Sequence, residues 1–191
     1  MRLPGLIDPH VHLRDPGHTY KEDWYSGTAS ALAGGYTCVL AMPNTSPPIT
    51  DSSSLDNILE AAHGKVHCDY GIHVAGTSNN TSTVPALSDK ASGLKLYLND
   101  TFGDLRLDGL HIVNSHMSAW PDNRPVLCHA ETYMAAAVLM LAVLHRRSVH
   151  ICHVSRKEEI DLIRAAREQG LAVTCEVTPH HLFMTKSDID S

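Results

Sequence analysis

Seven short runs of β-branched and apolar residues recur along the chain, and their spacing limits the fold more than any other feature. They cover residues 6–13, 37–42, 66–75, 93–98, 125–130, 149–154 and 171–177, roughly 25 to 30 residues apart. Several intervals carry helical patterns. RKEEIDLIRAAREQ, after Ser155, sets Ile160, Ile163 and Ala166 on one stripe and charges elsewhere. Ser155 and Glu158 have capping-box spacing, and Gly170 sits where a helix ends. Residues 132–146 form a second helix candidate, apolar nearly all round and therefore expected to be buried, and 26–34 a shorter, Ala-rich one. Residues 76–82 read as a long polar loop. Strands alternating with helices imply βαβ units and a parallel sheet. Seven strands fit an open doubly wound sheet; a closed (β/α)8 barrel needs eight, usually in about 250 residues. At 191 residues the chain is one unit short of that barrel.

Composition narrows the function classes. A net charge of −6 without a basic block gives nucleic-acid binding no electrostatic support. The longest apolar run, residues 135–144, is about half of what a bilayer-spanning helix needs. The opening MRLPGLIDPH holds no apolar signal core, so secretion is not expected. Five cysteines (Cys38, Cys68, Cys128, Cys152 and Cys175), one per strand-like run, suit reduced thiols in the cytoplasm better than a disulfide framework. The length favours one domain. Fourteen histidines against two Phe and two Trp is an excess that usually means metal or a tag, and there is no His run to be a tag.

Asp8-Pro9-His10-Val11-His12 places two imidazoles at i and i+2, on one face of a strand, where both can reach one metal ion. The alternative is two polar residues on an exposed strand face. His129 (VLCHAE) and His153 (HICHVS) each end a short apolar run. Alone, either reads as a core or rim residue; together with the HxH strand, they place four imidazoles at the face where parallel βα folds gather their sites. Such a shell suits zinc or a similar borderline metal. Lys95, in GLKLYL, shares a strand face with Tyr97, opposite Leu94, Leu96 and Leu98. Buried, its amine needs a partner or a depressed pKa, and the neutral amine can add CO2 to become a metal-bridging carbamate. The alternative is an edge-strand lysine reaching water. Arg14 and Asn44 suit the grip of a carboxylate; surface arginine and turn asparagine are the plainer readings.

GLIDPHVHLRDPG, AMPNTSPP, GLKLYLNDTF, LCHAE and SVHICHVSRKEE together resemble the amidohydrolase superfamily, and within it the dihydroorotases, along essentially the whole chain. The branch it is most similar to is the dihydroorotase domain of the animal trifunctional pyrimidine-synthesis polypeptide, where KLYLN precedes a Thr-Phe loop. The resemblance implies an α/β fold: an incomplete (β/α)8 TIM-like barrel of the metal-dependent amidohydrolase type, with the eighth strand missing and residues 1–191 as one partial domain. It makes His10 and His12 ligands of a first zinc and His129 and His153 ligands of a second. Lys95 becomes the carboxylated lysine bridging the two. Arg14 and Asn44 would hold the substrate carboxylate, and Thr101 and Phe102 would lie on a loop closing over it. Cys152, Glu176 and His181 match positions able to hold a further zinc.

The implied reaction is the reversible cyclisation of N-carbamoyl-L-aspartate to L-dihydroorotate in pyrimidine synthesis. Implied partners are this small substrate, carbamoyl-phosphate synthetase and aspartate carbamoyltransferase domains in one polypeptide, and further copies in a homo-oligomer. Nucleic acid and membrane are not among them. The chain departs from the family at its ends. No SDHAPH-like string occurs between His181 and Ser191, so the eighth-strand aspartate that shuttles the proton is expected beyond Ser191. The small β-domain outside the barrel is missing as well. DPH for DVH and RDPG for REPG are chemically mild. The expectation is a truncated product without its general base, with two unpaired strand edges prone to aggregation. Three alternatives stand beside it: an allantoinase- or dihydropyrimidinase-like cyclic amidohydrolase, a catalytically dead homologue acting as an assembly module, and a zinc-binding structural protein. His63, His67, His111, His116 and His145 carry no functional assignment and are expected at the surface.

Overall fold

The computed structural model describes residues 2–101 and 104–188. Each apolar run coincides with a strand, β2 starting one residue before its run: β1 (Leu6–Val11), β2 (Tyr36–Ala41), β3 (Asp69–Ala75), β4 (Gly93–Tyr97), β5 (Val126–His129), β6 (Val149–Ile151) and β7 (Val173–Cys175). They pair in sequence order, every pair parallel, into one seven-stranded sheet. Helices α1 (Trp24–Ala33), α2 (Ser52–Ala62), α3 (Leu110–Ala119), α4 (Tyr133–Leu144), α5 (Lys157–Glu168) and α6 (Pro179–Phe183) follow β1, β2, β4, β5, β6 and β7. Between β3 and β4 the chain makes only a loop and one 3-10 turn, Val84–Leu87. The sheet curls into an incomplete (β/α)8 barrel. β4 is buried on both faces: Leu94 and Leu96 join the main apolar cluster, while Lys95 and Tyr97 are enclosed on the other side. β1 and β7 are the two edges, and Ile7 on β1 remains 62% exposed.

No eighth strand occurs among the described residues. After β7 come α6 and a 3-10 turn at Lys186–Asp188. Ser191, beyond which the general-base aspartate is expected, lies outside the described residues, so the structure carries that expectation neither way.

Local chemistry sets the helix ends. The Asp23 carboxylate caps α1 by accepting from the Ser26 N–H at 2.7 Å, and Asp51 and Ser54 form a reciprocal capping box on α2. The α5 box lies one residue later than the Ser155–Glu158 spacing indicates. Arg156 occupies the cap position, and buried Glu159 accepts from the backbone N–H of Arg156 and of Thr132. Glu159 thereby ties the start of α5 to the start of α4. Gly170, at φ +87°, stops α5 as its position indicates.

Two burial expectations need correction. α4 is not buried all round: Tyr133, Met140, Val143 and Leu144 are exposed, because only the face carrying Ala135, Val138 and Ala142 meets the sheet. His116 is not a surface residue. It is fully buried in α3, where its Nε2–H donates to the Thr77 carbonyl at 2.8 Å and holds the β3–β4 loop.

Candidate metal centre

β1 pairs Asp8 with Val39 but Val11 with Ala41, so it carries one residue more than β2 over the same span. This bulge falls at Pro9 and His10, where a prolyl nitrogen has no ladder bond to lose. It delivers His10 and His12 side by side, their ring centroids 5.2 Å apart. The His10 ring lies 5.3 Å from that of His153, which lies 4.6 Å from that of His129. The four imidazoles therefore meet at the C-terminal ends of β1, β5 and β6. Arg14, Thr132 and His153 hold φ angles of 59°, 51° and 36° at this end of the sheet. Left-handed backbone at non-glycine residues costs on the order of 1 kcal/mol or more each and concentrates at functional sites.

Lys95 rises from β4 beneath these rings, 1% exposed, and its ammonium donates to Cys152 Sγ at 2.7 Å. Burial pushes the Cys152 thiol up to about 11, against the pull of Lys95. Glu176, just beyond β7, reaches across the open side of the barrel to His10 Nδ1. Its other oxygen accepts from His150 Nε2 at 3.1 Å, and His150 Nδ1 meets Thr174 Oγ1 at 2.8 Å. Burial alone would raise the Glu176 carboxyl, but the hydrogen bonds from His10 and His150 outweigh it and hold the group well below the usual carboxylate range. His10, Cys152 and Glu176 each offer a donor atom within 4.8 Å of the others. This trio contains two of the three residues matched to a further zinc; His181 instead stacks near His180 along the rim of the same cleft, whose volume is about 610 Å³.

Asn44 is buried and accepts from His12 Nδ1 at 2.9 Å. That bond fixes the tautomer and leaves His12 Nε2 as the acceptor facing the cleft. Arg14 follows β1 at the same end, and Thr101 is half-buried beyond β4; Phe102 lies outside the described residues. His150 and Glu131, whose Oε1 lies 3.4 Å from His129 Nε2, are site residues that motif reading passes over. Period-2 alternation along HICHVS was the available signal for His150, since it shares a strand face with Cys152.

The donors fit a borderline divalent metal. Burial, with Arg14 and His10 nearby, pushes His12 down to about 3, and burial with Lys95 does the same to His153. Burial lowers His129 as well. All three rings are thus neutral near pH 7, the form in which imidazole binds metal. His129 Nε2 is buried at the same end, beside the Glu131 carboxylate whose Oε1 lies 3.4 Å away. Neutral imidazoles and an ionised carboxylate are donor types that zinc takes, and Cys152 would join them on losing its proton, since only the thiolate binds metal.

A family model described as the amidohydrolase family matches residues 1–100. The chain is 52% identical, over 191 residues, to the multifunctional protein CAD of Squalus acanthias, a match covering all of this chain and 8% of that protein. It is 36% identical over 211 aligned positions to a dihydroorotase of Methanothermobacter thermautotrophicus, covering 95% of this chain and 47% of the relative. Among solved structures, an inactive dihydroorotase-like domain of a Chaetomium thermophilum CAD-like protein superposes with a TM-score of 0.89 at 29% identity, covering 99% of this chain and 56% of that one. The chain thus spans about half the length of the curated dihydroorotase and less than a tenth of the multifunctional protein. No helix among the described residues is long and apolar enough to cross a membrane. Parallel strands in sequence order, a histidine-rich site at their C-terminal ends and the family match agree: the chain belongs to the amidohydrolase family, which implies a metal cofactor.

Proposed function

We propose that residues 1–191 form part of one barrel domain and carry most of the metal centre of a dihydroorotase, interconverting N-carbamoyl-L-aspartate and L-dihydroorotate. The observation that carries this reading is the convergence of His10, His12, His129 and His153 above Lys95 at one end of the sheet. His10 and His12 would hold one zinc, and His129 and His153 a second. Lys95 would bridge them once its neutral Nζ has added CO2 and released a proton. When bound, zinc would polarise the ring amide carbonyl and acidify a water.

The chain's own side chains do the positioning. Asn44 fixes the His12 tautomer through its Oδ1 and keeps its amide N–H groups to donate to a substrate carboxylate. Arg14 supplies the guanidinium for the same group, and Thr101 and Phe102 close the loop over it. Glu176 and Cys152, with His10, form a further zinc site. The aspartate that moves the proton to and from the ring nitrogen belongs to an eighth strand in the family pattern, a strand that would follow Ser191. Turnover is therefore expected to need that aspartate in addition to the zinc ligands on residues 1–191.

In the whole protein, carbamoyl-phosphate synthetase and aspartate carbamoyltransferase domains would flank this one in a cytoplasmic polypeptide, as the match to a multifunctional protein supports. The exposed apolar face of α4 would pair with a second copy. A second reading, an inactive dihydroorotase-like module with an assembly role, draws support from the likeness to the Chaetomium domain.

The test is a chimera in which residues 1–191 replace the matching half of the Methanothermobacter enzyme. Zinc-dependent cyclisation of carbamoyl aspartate that His12→Ala abolishes is expected. A folded chimera without turnover, zinc-loaded or not, would favour the inactive module, and one that binds no zinc would overturn the dihydroorotase reading.

A further inference from the structure

β3 contributes none of the residues so far placed at the metal centre, yet it carries a histidine in the barrel interior. His73 is 1% exposed, and its Nε2–H donates to the carbonyl of Pro9 at 3.2 Å. Pro9 lies inside the β1 bulge, immediately before His10 and three residues before His12. A carbonyl in a bulge loses its ladder partner, and the His73 ring supplies a donor in its place. The backbone around His73 is cut to receive its ring. A Cβ on Gly93, its register partner on β4, would come within 3.1 Å of His73 Nδ1, so glycine there keeps the space open. The bulge is held from its other side by the Asp8 carboxylate, which accepts from the His10 N–H at 3.0 Å.

We propose that His73 is a positioning residue for the metal centre: by clamping the Pro9 carbonyl it locks the β1 bulge in the one register that aims His10 and His12 at the same point. The proposal rests on the metal reading of those two histidines. Groups that hydrogen-bond a metal ligand typically change metal affinity about 10- to 100-fold when lost, and His73 would act on His10 to a like extent through the backbone it holds. His73 is not placed as a ligand itself, because its Nε2 is spent on Pro9 and its Nδ1 lies against Gly93.

The experiment compares His73→Phe, His73→Asn and His73→Gln with the wild-type 191-residue chain. Phe fills the space without a donor. Asn donates but is too short to reach Pro9, and Gln places an amide N–H near the position of Nε2. Zinc affinity is read by competition with a chromophoric chelator, ligand geometry by the visible spectrum of the cobalt-loaded protein, and fold by circular dichroism of the metal-free form.

At least tenfold weaker zinc binding is expected for His73→Phe and His73→Asn, with a shifted cobalt spectrum, while His73→Gln stays within about threefold of wild type. If His73→Phe does not fold, the Asn and Gln pair decides. Wild-type affinity and an unchanged spectrum in folded His73→Phe or His73→Asn would overturn the proposal while leaving the metal reading intact. A folded wild-type chain that binds no zinc would overturn the metal reading, and this proposal with it.

Discussion

Buried histidines at this site are neutral because charging them would strip water from an imidazolium, and that has a consequence for acid stability. Burial pushes His73 down from its ordinary 6.5 to about 4. As pH falls through 6.5, the unfolded chain takes up this proton before the folded one does. Stability from the neutral ring is therefore complete above 6.5 and lost progressively toward 4. At pH 5 the loss is on the order of 2 kcal/mol for this one group. Urea unfolding of the metal-free chain should show a smaller drop between pH 7.5 and 5 in His73→Gln than in wild type; equal drops would mean that another group carries the acid sensitivity. At this scale the HxH pair, Lys95 and the strand-end histidines were legible in the sequence, because each is a local pattern on a strand. His73 was not, since a single histidine in an apolar run has the same pattern whether it packs or positions.

Among the elements, α3 and α4 are joined by one buried cation. Arg147 is 3% exposed, and its guanidinium donates to the carbonyls of Met117 at 2.6 Å, Trp120 at 2.9 Å, Pro121 at 3.2 Å and Arg124 at 3.3 Å. These carbonyls lie at and beyond the C-terminal end of α3, where helix groups lack intrahelical partners and the dipole favours positive charge. Charge-assisted bonds of this kind are the strong ones, and removing the fork leaves several buried acceptors unpaired. Arg147→Met should cost about 3 kcal/mol in urea unfolding, and Arg147→Lys should recover less than half, since an ammonium cannot span four acceptors in one plane. A cost below about 1 kcal/mol would show that water replaces the guanidinium. The sequence announced both helices, but not this tie: Arg147 sits among Arg146 and Ser148 like any loop cation.

For the whole molecule, two exposed features offer different routes to association. The open edge at β1 presents Leu6 and Ile7 beside unpaired backbone groups, a template for another strand. The outer face of α4 presents Met140, 68% exposed, with Val143 and Leu144. Edge pairing grows without closing, whereas a helix face closes on a two-fold axis. Ile7→Lys is therefore expected to slow light-scattering aggregation at 37 °C and leave a concentration-dependent dimer. Met140→Lys should abolish that dimer in sedimentation runs and leave aggregation unchanged. If both substitutions act on the same species, one surface serves both, and the division is wrong.

A family resemblance implied the incomplete barrel, but periodicity and spacing alone determined the parallel sheet of alternating strand and helix units and the four histidines at its strand ends. These are properties of a residue and its near neighbours: alternation sets a strand face, and a βαβ unit sets a direction. Only the tertiary structure decided that Glu176 meets His10, 166 residues away, that Lys95 finds Cys152, and that His73 holds Pro9. It also buried His116 and bared a third of α4. Each of these depends on how far the sheet curls and which residue the β1 bulge falls on, and no local pattern in the chain records either.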